Sequence, residues 1–155
     1  MMVNFSKNVS EHRKFRNNCP FCNIDPKRSK TVKEGKSVIV ILSNPRLVDG
    51  HLLVIPKRHV EKLSQLSKKE RDELVDTVIE FQEKILSKFS SGCDVRQNCR
   101  PFLKESEVKV DHLHIHLLPR EFEDELYKKC QVFEKEIFRM LTEEEKEKFV
   151  KLFKK

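Results

Sequence analysis

Apolar positions in this chain follow two different periods, and the switches between them mark out the elements. Residues 37–42 form an almost unbroken β-branched run and predict a buried strand. Residues 51–55 predict a second, led into by the turn signals Asn44-Pro45 and Asp49-Gly50 and ended by Pro56. The period then lengthens. Leu74, Val78, Phe81, Ile85 and Phe89 draw the stripe of an amphipathic helix of about 20 residues, opened by the capping-box sequence Ser67-Lys68-Lys69-Glu70 and stopped by Gly92. Residues 94–98 predict a short strand. Period two returns over residues 108–120, where Val108, Val110, His112, His114 and His116 would share one face of a strand and Leu113, Ile115 and Leu117 the other. Beyond Arg120 a second helical stripe carries Leu126, Cys130, Phe133 and Ile137, and Thr142 with Glu143-Glu144-Glu145 caps a last short helix containing Phe149, Val150 and Phe153. No internal repeat interrupts this order, which predicts one α+β domain with a helical C-terminal extension.

Length and composition agree with that picture. A chain of 155 residues can bury a sizeable core as one domain, and its equal 37% shares of hydrophobic and charged residues describe a heavily solvated surface. The longest apolar runs fall far short of the roughly 18 residues a membrane span needs. Polar and basic residues interrupt any apolar run at the N-terminus, so no signal peptide is expected and the reading is an intracellular, cytoplasmic protein. Five cysteines without an export signal argue against a disulfide framework. Cys93, Cys99 and Cys130 read as small buried residues.

Charge is uneven. The net value is +7, and residues 1–36 hold nine Lys/Arg against three acidic side chains. Residues 1–18 read as a basic arm, extended or partly disordered, with isolated Phe5 and Phe15, followed by a domain over 19–120 and the helical extension over 121–155. Such an arm attracts anions, which supports an anionic substrate; nucleic acid is a possible partner but not the favoured one.

The chemistry concentrates where the histidines are. Half of the six lie at His112, His114 and His116. On a strand rising about 3.3 Å per residue the outer pair's Cα atoms stand roughly 13 Å apart, too far for one zinc to collect all three rings. The jobs are therefore divided, and a middle imidazole flanked on both sides suits a nucleophile held in one tautomer. Cys19-Pro20-Phe21-Cys22 is a second candidate. Its two thiols could share a metal, but a pair supplies only two of four ligands and reads equally as a redox dithiol or as nothing.

His112-Leu113-His114-Ile115-His116-Leu117-Leu118, followed by Pro119-Arg120, resembles the signature of the histidine triad (HIT) family of nucleotide hydrolases and transferases. The stretch from Gly50-His51 through Pro56-Lys57-Arg58-His59 looks like the family's upstream signature, and Cys19-Pro20-Phe21-Cys22 like its zinc knuckle. The resemblance covers residues 19 to about 120 and implies a HIT-like fold, an antiparallel sheet with a long packed helix, in a protein that pairs as a homodimer. It implies a structural Zn2+ on Cys19, Cys22, His59 and His112. It implies that His114 attacks the α-phosphorus of a dinucleoside polyphosphate or nucleoside phosphoramidate to form a nucleotidyl-histidine, with His116 orienting it. The alternative is a zinc-stabilised nucleotide-binding protein without turnover.

For the substrate, the resemblance implies His51 beside the phosphates, although a hydrogen-bonded core histidine reads as well. It suggests Asn98 as the phosphate-contacting amide and Asn44, with Leu42 and Leu47, near the nucleoside. Lys57 and Arg58 read as surface charges. Many family members carry a glycine-containing loop before the triad; here residues 104–109 hold none, and residues 94–100 would have to substitute, with Arg96 or Arg100 supplying charge.

Overall fold

The structure, a computed structural model, describes residues 16–154, so the arm expected over residues 1–18 lies outside the described residues as far as position 15. The chain forms two compact units, dividing after Phe122. The first holds a five-stranded antiparallel sheet of β1 (Thr31–Glu34), β2 (Val38–Leu42), β3 (Leu52–Pro56), β4 (Gly92–Arg96) and β5 (Ile115–Arg120), in the spatial order β1-β2-β3-β5-β4. Helix α1 (Lys68–Lys88) runs between β3 and β4 in sequence. Its start follows the sequence: the Ser67 hydroxyl accepts from the Glu70 N–H and the Glu70 carboxylate accepts from the Ser67 N–H.

Both faces of the sheet centre are covered, which is why β2 and β3 read as continuous apolar runs rather than alternations. On one face Leu74, Val78, Phe81 and Ile85 of α1 pack with Val40, Val54, Leu113, Ile115 and Leu117. On the other, Ile41, Leu53 and Ile55 pack with Phe21 and Ile24. Leu117 is fully buried at the centre of the first cluster, so Leu117→Ala is expected to cost about 2–5 kcal/mol in a urea or guanidinium titration. A loss under about 1 kcal/mol would contradict that placement.

Three expectations are corrected, and one strand is added. The histidine strand begins only at Ile115. Residues 106–109 form a tight turn closed by reciprocal Ser106 and Lys109 backbone bonds, and Val108, 81% exposed, leaves the histidine face. Gly92 does not cap α1, whose last turn closes when the Phe89 N–H donates to Ile85 O; it opens β4 instead, where a Cβ would lie 3.3 Å from Cβ and O of Arg120. Strand β1 was not predicted, because its sequence TVKE shows no apolar run and it exists through pairing with β2. Finally, Cys99 and Cys130 are exposed and Cys93 only partly buried.

In the second unit the predicted stripe breaks. Helix α2 spans only Glu125–Lys129, Cys130 departs from helical backbone, and a 3-10 turn follows over Gln131–Glu136, which leaves Phe133 and Ile137 exposed. Helix α3 (Glu143–Phe153) opens on the expected Thr142–Glu145 capping box. Among the described residues no helix is long and apolar enough to cross a membrane.

Candidate active site and metal centre

The three histidines at 112, 114 and 116 have different hydrogen-bond partners, and these set which nitrogen each ring presents. His112 is buried; its Nε2–H donates to Pro56 O at 2.8 Å, so its Nδ1 carries a lone pair, and that atom lies 3.3 Å from Cys19 Sγ and 3.7 Å from Cys22 Sγ. His59 Nδ1 lies 3.4 Å from Cys22 Sγ. Ligand atoms of Cys19, Cys22, His59 and His112 all fall within 4.8 Å of one another. A tetrahedral ion with Zn–S near 2.3 Å and Zn–N near 2.0 Å puts sulfur and nitrogen about 3.6 Å apart, so the set matches a closed Cys2His2 site that could hold a metal. The knuckle makes it possible: the N–H groups of Cys22 and Asn23 both donate to Cys19 O, folding the two thiols to one side.

His114 lies just ahead of β5. Its Nδ1–H donates to His112 O at 2.6 Å, which leaves Nε2 as the bare, lone-pair-bearing atom. The ring stands edge-on to Phe21 at 5.0 Å and to His116 at 4.8 Å. His116, inside β5, belongs to a relay. The Leu47 N–H donates to His51 Nδ1 at 3.1 Å, so His51 Nε2 carries its proton and donates to His116 Nδ1 at 2.9 Å. That leaves His116 with its proton on Nε2. One ring of the pair thus offers an electron pair and the other a hydrogen-bond donor.

Electrostatics keeps these rings neutral. Burial pushes His51 down to about 4 and His116 to about 3, with His114 and Arg96 adding repulsion at both rings and Arg100 at His116; burial also lowers His114. Arg96 faces His116 across the β4–β5 ladder. A stability consequence follows for His51, which is 5% exposed. Between pH 6.5 and about 4 the unfolded ring binds a proton and the folded ring does not, so its contribution is complete above pH 6.5 and is lost as pH falls. The unfolding free energy is expected to drop by roughly 2–3 kcal/mol at pH 4.5 from this ring alone, read by denaturant titrations at pH 7, 6, 5 and 4.5. A flat profile would show that the ring is not held neutral.

A cavity of about 350 Å³ opens on His112, His114 and His116, and Asn98, Cys99, Arg100, Lys104 and Lys109 line it. A second, of about 390 Å³, is walled by Phe21, Ile24, Ile41, Asp25 and Glu107. Phe21 connects the two, since its ring reaches both His112 and His114. Asn98 is therefore brought to the triad, but Asn44 is not: its Nδ2 donates to Arg28 O and it lines neither cavity. Lys57 is paired with Glu34, and Arg58 makes a two-pronged bond to Glu70. Sequence reasoning missed Phe21, although an aromatic between two ligating cysteines is the available signal. It also missed the contact of Arg16 with Glu105, which ties the loop over residues 104–109 to the knuckle.

A family model, the HIT domain, matches residues 26–123. The chain belongs to the HIT domain family. A HIT family protein from Bacillus anthracis shares 24% identity, with 88% of this chain and 95% of that one superposed at a TM-score of 0.64. A zinc-bound histidine triad family protein from Mycobacterium smegmatis is similar over 70% of this chain and 79% of its own, at 23% identity and a TM-score of 0.59. Among curated relatives, the asymmetrical bis(5'-nucleosyl)-tetraphosphatase of Schizosaccharomyces pombe is 31% identical over 81 residues, half of this chain. The match spans 42% of that enzyme's length.

Proposed function

We propose that this HIT protein is a nucleotidyl hydrolase or transferase that cleaves at the α-phosphate of a dinucleoside polyphosphate or nucleoside phosphoramidate. One observation carries the reading: Nδ1 of His114 is committed to the His112 carbonyl, so its bare Nε2 is available in a cavity beside His116. Nε2 would attack the α-phosphorus opposite the leaving group; the P–O or P–N bond breaks and its electron pair leaves with the departing group. The imidazolium formed keeps its Nδ1–H on the carbonyl, which offsets the positive charge. Water or another acceptor then attacks phosphorus, returns the electron pair to Nε2 and loses a proton.

The neighbours support matching roles. The Nε2–H of His116 is free of the His51 relay and can donate to a phosphoryl oxygen or the leaving group, and Arg96 and Arg100 add positive field. Asn98 would contact the phosphates, while His51 would act through His116. The nucleoside fits the cavity walled by Phe21, Ile24 and Ile41, with the Asp25 carboxylate for ribose hydroxyls. Cys19, Cys22, His59 and His112 would hold a structural Zn2+. Outer strand β4, with Val95 46% exposed, supports a homodimer that joins sheets, which light scattering of the full chain tests. Five cysteines with no disulfide among them support a reducing, cytoplasmic setting, and residues 121–155 are proposed as an extension of the same domain.

The test is intact-protein mass spectrometry after brief incubation with a panel of adenylated substrates, wild type beside His114→Ala. A nucleotidyl adduct or turnover in the wild type alone supports the proposal. A second reading, nucleotide binding without turnover, draws on Glu107, which places a carboxylate at the wall of the nucleoside cavity. Binding by both proteins with adduct in neither would favour it.

A further inference from the structure

We infer that the Cys19, Cys22, His59 and His112 set is also the positioning device of the nucleophile: an ion held there fixes the His112 ring and the knuckle, and through the His112 carbonyl and the Phe21 ring it holds His114 with Nε2 bare. The inference rests on His114 being the reactive residue. His114 precedes β5, which begins at Ile115, so the sheet's hydrogen-bond ladder does not set its ring. Three contacts do: the His116 ring of β5 stands 4.8 Å away, and the other two come from the segments that carry Cys19, Cys22 and His112. The first of these two is the bond from Nδ1–H of His114 to the carbonyl of His112, whose own ring nitrogen faces Cys19 and Cys22. One residue therefore faces the two cysteines with its side chain and selects the nucleophile's tautomer with its main chain.

The second contact is Phe21. It sits between Cys19 and Cys22 and meets the rings of His112 and His114 edge-on, at 5.9 and 5.0 Å. Whatever holds the Cys19 and Cys22 backbone in place therefore also holds this ring against His114. Other anchors keep the neighbourhood folded when the ion leaves: the His112 Nε2–H stays on Pro56 O, and the Leu113 N–H donates to Val60 O at 2.6 Å. What loosens is the orientation of residue 112 and of the knuckle. His112 and Phe21 are thus positioning residues, and the metal set links ion occupancy to the reactivity of His114.

The deciding readout is the tautomer of His114, seen by imidazole nitrogen NMR of the full chain without substrate. Wild type with one zinc per chain is expected to show a single Nδ1–H tautomer. His112→Cys, which converts the ligand set to Cys3His and still tethers residue 112, is expected to keep it. His112→Ala leaves three ligands and a free residue 112; it should show both tautomers and form the nucleotidyl adduct roughly ten- to hundredfold more slowly in a single turnover. Wild type treated with chelator should behave like His112→Ala, and zinc added back should reverse it; this arm decides should His112→Ala not fold. A single unchanged tautomer in folded His112→Ala or in folded metal-free wild type overturns the inference, as does a mixture in zinc-loaded His112→Cys. The NMR readout needs no turnover. Absence of any adduct in the wild type would therefore defeat the proposed function and leave this inference to stand or fall on the spectra.

Discussion

His114→Ala is expected to lower formation of the nucleotidyl adduct and turnover by at least about 10⁴-fold while leaving the chain folded. The magnitude follows from what is removed. The neighbouring imidazole cannot substitute for a nucleophile activated by its own tautomer: His116 Nδ1 is occupied by the proton of His51, and its Nε2 carries a proton rather than a lone pair. Water entering in place of the imidazole would lack both its nucleophilicity and its fixed position. His116→Ala should cost less, about 10²–10³-fold, because it removes a donor and leaves the nucleophile. Since the two rings act on one reaction, the double variant should be little worse than His114→Ala alone. Single-turnover kinetics on the three variants checks this. Turnover within tenfold of wild type in His114→Ala would end the covalent mechanism.

Removal of metal has the second largest expected effect, on stability. An ion bound a thousandfold above its dissociation constant contributes about 4 kcal/mol to the folded state, so a chelator should lower Tm by about 10 °C or more and Zn2+ should restore it. Cys19→Ser, which replaces a buried ligand, should do the same without chelator. The chain is nonetheless expected to remain folded at 25 °C, because the cluster between α1 and the sheet takes no residue from the knuckle. Thermal melts followed by circular dichroism, with zinc counted by native mass spectrometry, test both statements. A preparation holding less than about 0.3 zinc per chain, purified without chelator, would count against the Cys2His2 assignment.

Local signals in the sequence carried further than long-range ones. The capping boxes at Ser67 and Thr142, the apolar stripe of α1 and the core runs of β2 and β3 were legible because a few consecutive residues determine each. Leu113, Ile115 and Leu117 were rightly placed on one face. Strand β1 was invisible, since TVKE becomes a strand only by pairing with β2. The late start of β5 was equally hidden, because the turn at residues 106–109 closes through backbone bonds that no side-chain pattern announces.

For the site, sequence alone marked the candidate side chains: two thiols three positions apart and histidines in alternation restrict what can be built. Tertiary structure decided which nitrogen each ring presents. Whether an imidazole offers Nδ1 or Nε2 depends on its hydrogen-bond partners, and those come from distant points of the chain: Pro56 O for His112, and the Leu47 N–H, relayed by His51, for His116. The same holds for Phe21, which reaches His114 only because the knuckle folds back against the sheet. A tautomer is a property of an environment, and a linear sequence lists the residues without the distances that make one.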